Sequence, residues 1–196
     1  MGAMGHTEEQ LRAMFREWIE DADDTAARHP EWRVKVHTHS RDAVARTGYC
    51  EPKERHPDAP ASVRTLNAVI WIYRDDQNTP GPAMRELVAL AHEFGHALSH
   101  MRGKQTPNYK AAVMKYDAKL AAASGTHLEA DAAALASQPM TEAEQDLVRD
   151  EECRAWDYGR EELEGRGLTD FRKFDEWRAE AMAIYERNFE RFSSAT

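Results

Sequence analysis

Leu90-Ala91-His92-Glu93-Phe94-Gly95-His96-Ala97-Leu98 is the stretch whose reading decides the fold. Around it Leu87, Ala91, Phe94, Leu98 and Met101 recur every three or four positions, a period that predicts a helix over 82–101 with one buried face. Gly103 follows as a stop signal, and Pro107 lies beyond it. Residues four apart stack on one side of a helix, so the imidazoles of His92 and His96 reach toward one point, with Glu93 beside them. This HExxH spacing suits two histidines that grip a single ion. Zinc accepts neutral imidazole nitrogen, and a catalytic zinc site takes three protein ligands while leaving a position for water. The expected cofactor is Zn2+, and Glu93 is the expected general base.

Upstream of that helix the pattern changes. Thr7 and Gln10 form a capping box for a first amphipathic helix carrying Leu11, Met14, Phe15, Trp18 and Ala22, which ends before Pro30. Trp32, Val34 and Val36 alternate with Arg33, Lys35 and His37, as in a half-buried strand whose polar face also bears His39. Residues 41–60 read as loop with a short strand around 47–50, and 63–73 is a β-branched, aromatic strand closed by turn residues over 75–82. The expected class is α+β: a mostly helical domain with a small antiparallel or mixed sheet before the HExxH helix.

Downstream, helices are expected over 108–123 and 128–137, with Gly125 and Pro139 as separators. Another is opened by the Thr141 and Glu144 capping box. Asp170 caps a last helix striped with Phe171, Phe174, Trp177, Ala181, Ile184, Tyr185 and Phe192. The third metal ligand should come from this half. Glu152 shares a stripe with Val148, Ala155 and Gly159, which turns its carboxylate inward among small neighbours. Glu129, in Glu129-Ala130-Asp131-Ala132, and the adjacent Glu151 remain alternatives.

With an apolar strand before a helix reading Leu90-Ala91-His92-Glu93-Phe94-Gly95-His96-Ala97-Leu98, the chain resembles the zincin metallopeptidases. It departs from the metzincins, whose extended motif would place glycine at Ser99 and histidine at Arg102. It is similar to the gluzincins, including small prokaryotic ImmA/IrrE-like peptidases, in which the third ligand is a glutamate on a later helix with a small residue three positions on, as in Glu152-Cys153-Arg154-Ala155. The resemblance spans about 69–159 and implies peptide-bond hydrolysis of a bacterial type, with His92, His96 and Glu152 on zinc and Glu93 as base.

Several residues have both a functional and a plain reading. His100, Tyr109, Tyr116, His127 and Tyr158 can donate to an oxyanion or simply sit at the core boundary. Asp150 and Asp157 can hold the far nitrogen of a zinc histidine or face solvent. Cys153 beside Glu152 suggests a thiolate gate, against its quarter-turn offset on the helix.

Bulk properties narrow the classes. The 196 residues suffice for one domain, expected over 6–196, with Met1-Gly2-Ala3-Met4-Gly5 reading as a cloning scar. A net charge of −9 argues against nucleic acid or anionic membrane as a partner, and the mean hydropathy is −0.77. No apolar run approaches the roughly 20 residues of a membrane span. Two distant cysteines, Cys50 and Cys153, make no disulfide framework, so a cytoplasmic location is expected. The expected partner is a peptide or protein substrate, with room for a regulatory protein. The alternative function is a metal-stabilised binding or sensor domain without proteolysis.

Overall fold

The computed structural model describes residues 6–28, 32–40, 48–53, 66–74 and 83–193, and places side chains for 6–18, 20–21 and 83–193. In the part placed with side chains the chain is about 82% helical, in six helices, with no strand among them. The expected α+β class with its sheet is therefore corrected for this part: its layers are helix on helix. The reason lies in where the β-type patterns fall. They map to Trp32–Ser40, Gly48–Lys53 and Leu66–Arg74, where backbone alone is described, as extended segments. The third pairs parallel with the first and antiparallel with the second. The side chains of His37, His39, Cys50, Val69, Trp71 and Tyr73 lie outside the described residues, as do the turn at 75–82 and the first five residues.

The helices are α1 (Glu8–Arg28), α2 (Ala83–Met101), α3 (Pro107–Ala123), α4 (Ala130–Ser137), α5 (Glu142–Gly165) and α6 (Arg172–Ser193). Two compact units emerge: Met1–Arg102 with Arg154–Phe174, and Gly103–Cys153 with Asp175–Thr196. Helix α5 runs unbroken from the second into the first.

In the first unit the Thr7 capping box forms as expected. Thr7 N donates to Gln10 Oε1 at 2.8 Å and Gln10 N to Thr7 Oγ1 at 3.2 Å. Helix α1 buries Leu11, Met14, Phe15 and Trp18, and the Trp18 ring meets Phe94 of α2 edge-on at 5.3 Å. The start of α2 is fixed by α1, because Glu8 Oε1 accepts the Ala83 N–H at 2.9 Å, satisfying an orphan donor where the helix dipole favours negative charge. The far end of α5 returns to α1 through Arg166, which lies 4.5 Å above the Trp18 ring and 3.2 Å from Asp21. Gly103, at φ 68°, ends α2 in the left-handed region that a side chain would resist.

The second unit has a core of Ala112, Tyr116, Met140, Val148, Phe189 and Phe192. Its Thr141 box also forms, with Thr141 N donating to Glu144 Oε2 at 2.8 Å and Glu144 N donating back to Thr141 Oγ1 at 3.2 Å. The same carboxylate takes Lys115 Nζ at 2.9 Å. Burial pushes the Glu144 carboxyl up, but the Thr141 N–H and the Lys115 ammonium together hold it below its ordinary range. On α6 the apolar stripe shifts from the sequence expectation: Ile184 is 50% exposed, while Phe189 is buried.

Tyr116 sets a pH-dependent term in this unit. Its ring stacks on Tyr185 at 5.3 Å, and its hydroxyl accepts from Asn188 Nδ2 at 2.9 Å. Burial pushes the phenol up to about 12, against the Asn188 hydrogen bond, and the negative charges of Glu152 and Asp117 add to the rise. The folded state thus keeps this proton when the unfolded chain, at the ordinary 10.0, has lost it. The contribution is whole below that unfolded value and is lost as pH rises through the folded one. Between about pH 9.5 and about pH 12, urea denaturation should show the wild type losing roughly 2 kcal/mol more stability than Tyr116→Phe. Parallel losses in the two proteins would refute the assignment.

Candidate metal centre

Helix α2 forms because its apolar face is continuous: Leu87, Leu90, Ala91, Phe94, Ala97 and Leu98 are all buried. His92 and His96 lie half-buried on a neighbouring face, one turn apart. Their ring centroids are 4.7 Å apart and the rings are tilted by 75°. Glu93 follows His92 directly and is buried.

The opposing wall is α5, and glycines govern its approach. A Cβ at Gly95 would stand 1.9 Å from the carbonyl oxygen of Ala155, and one at Gly159 would stand 2.5 Å from that of Ala91. The two helices thus touch backbone to backbone in two places, which only hydrogen at Cα permits. Ala155 is fully buried at the first contact. Glu152 precedes it by three residues on the same unbroken helix, and its side chain is 5% exposed. The inward stripe of Val148, Glu152, Ala155 and Gly159 expected from spacing is buried throughout.

A group able to hold a metal results: one ligand atom from each of His92, His96 and Glu152, all within 4.8 Å of one another. Two imidazoles and one carboxylate are a donor set that zinc takes in catalytic sites. Ligands about 2.0–2.1 Å from one tetrahedral ion stand roughly 3.4 Å apart, a spacing that donors lying within 4.8 Å of one another reach by small side-chain rotations. The residues fit such an ion, although its element is not identified by the geometry.

The other acidic candidates, Glu129 and Glu151, are not members of this group. Glu129 is exposed at the N-cap of α4. Glu151 is 1% exposed, and its Oε1 accepts from Gln105 Nε2 at 2.8 Å. Asp150, Asp157 and His127 are exposed, and His100, Tyr109 and Cys153 are half-buried. The Tyr158 ring lies beneath the Arg102 guanidinium at 4.3 Å. Replacing Glu152 by Gln is therefore expected to weaken metal binding by at least about tenfold, and Glu129→Gln to leave it unchanged. Competition with a chromophoric chelator measures both, and equal losses would remove Glu152 from the site.

One neighbour has no place in the sequence reading. Trp156 stacks on His92, with centroids 4.3 Å apart and planes 30° from parallel. The available signal was its position four residues after Glu152, on the same helical face.

Among the described residues no helix is long and apolar enough to cross a membrane. No protein-family model, no curated protein and no solved structure matches this chain.

Proposed function

We propose that the chain is a zinc metallopeptidase of the gluzincin type that cleaves a protein substrate, in the cytoplasm on the argument from its cysteines. The observation that carries this reading is the convergence of His92, His96 and Glu152, with Glu93 in the same helical turn as the histidines. These three side chains would hold the ion. Zinc, when bound, supplies a Lewis acid that polarises a carbonyl and brings the pKa of a coordinated water to about 7. The chain's own residues do the rest. The carboxylate of Glu93 accepts a proton from the attacking water and hands it to the departing amine nitrogen as the C–N bond breaks. The buried faces of α2 and α5 keep the ligands fixed and limit solvent on the protein side.

The test pairs metal analysis with a proteome-wide cleavage screen. Wild type should carry one zinc per chain and cut a defined set of proteins in a chelator-sensitive way, and His96→Ala should lose both properties. Zinc retention with no cleavage by the wild type would instead favour a metal-stabilised binding domain.

A further inference from the structure

Trp156 is not one of the three candidate ligands, yet its ring stacks on one of them. Its centroid is 4.3 Å from that of His92, against 4.7 Å between the two histidines. The indole is 5% exposed, and its other neighbour is Phe174, which meets it edge-on at 5.2 Å and is itself fully buried. The ring is therefore wedged between a buried aromatic side chain and the His92 imidazole.

Helix geometry explains why this contact has consequences for the ion. The spacing of His92 and His96 fixes where the imidazoles start but not the plane each adopts, because the outer torsion of histidine is broad. A flat, immobile surface against one face leaves His92 few orientations, and the 75° tilt to His96 is the one observed. Trp156 also lies four residues after Glu152, so a single face of α5 supplies the third ligand and the surface that orients the first. Trp156 Nε1 is buried and has no hydrogen-bond partner among the described residues, a cost that phenylalanine would avoid.

We infer that Trp156 is a positioning residue that holds the His92 ring in its metal-binding plane, so that zinc binding and the indole's surroundings are coupled. The inference rests on the metal reading proposed above. Groups that orient a ligand from outside the coordination sphere are typically worth about 10–100-fold in metal affinity.

The test uses the whole chain and zinc alone. Affinity is measured by chelator competition for wild type, Trp156→Phe, which keeps an aromatic face, and Trp156→Leu, which does not. Trp156→Phe should bind within about threefold of wild type, and Trp156→Leu should bind about 10–100-fold more weakly, with thermal melts of the metal-free proteins recording the fold. A spectroscopic readout stands beside these. Zinc should change the tryptophan emission of the wild type and of Trp177→Phe, but not of Trp156→Phe. If Trp156→Leu does not fold, the emission comparison decides. Wild-type affinity in a folded Trp156→Leu, or a zinc-dependent change that survives in Trp156→Phe, overturns the inference and leaves the metal centre standing. A wild type that binds no zinc overturns both.

Discussion

Gly95→Ala should cost the protein its candidate metal centre and a large part of its stability, despite being among the smallest of substitutions. In an exposed helix interior the same change stabilises by up to about 1 kcal/mol, because alanine is the better helix former. At position 95 the added methyl would sit 1.9 Å from the Ala155 carbonyl oxygen and 2.7 Å from its carbon. Both are backbone atoms, so no side-chain rotation relieves the overlap, and α5 must shift or turn. Overpacking of this kind costs about 1–3 kcal/mol or more, which outweighs the propensity gain. Any such shift also carries Glu152, three residues away on α5, off the two histidines. The expected result is a lower urea midpoint together with a zinc affinity reduced by at least about tenfold, in line with the loss of one ligand's alignment. Gly159→Ala should behave alike but more mildly, since its closest approach is 2.5 Å. Gly165→Ala is the control: nothing lies within 4 Å of its Cβ, so a small gain in stability and unchanged zinc binding are expected. Wild-type stability and zinc affinity in Gly95→Ala would mean that α2 and α5 do not meet in this way.

These glycines also show where a sequence is readable. Local signals were legible: both threonine capping boxes form, and the buried stripe through Glu152 follows from period alone. The pairing of the histidines at i and i+4 needed nothing beyond helix geometry. Long-range choices were not legible in the same way. Glu129 and Glu152 have similar local settings, and only the path of α5 past α2 leaves one exposed and the other beside the histidines. Gly95 stood in plain view inside the motif, where a glycine in a helix interior hints at close packing without naming the partner. On α6 Ile184 and Phe189 both fit a helical stripe, and the packing around Tyr116 selected the phenylalanine. The α+β expectation rested on the β-type patterns over 32–73, whereas the part of the chain that builds the site is helical.

Glu93→Gln should separate chemistry from metal binding, provided the proposed function holds. Glutamine keeps the length and shape of glutamate and both of its terminal heavy atoms, but it has no carboxylate to take up a proton. The donor set of His92, His96 and Glu152 does not include position 93, so zinc stoichiometry should remain that of the wild type. Cleavage of any substrate found in the screen should nevertheless fall by about 10²–10⁴-fold, the range that a positioned general base contributes. Glu93→Asp makes the argument stricter. It restores the proton acceptor but draws it back by one methylene, so it should recover part of the rate if proton transfer is the step lost, and none if the glutamate only filled space. A Glu93→Gln protein that keeps both its zinc and its full cleavage rate would leave the ion in place and remove the base from the mechanism.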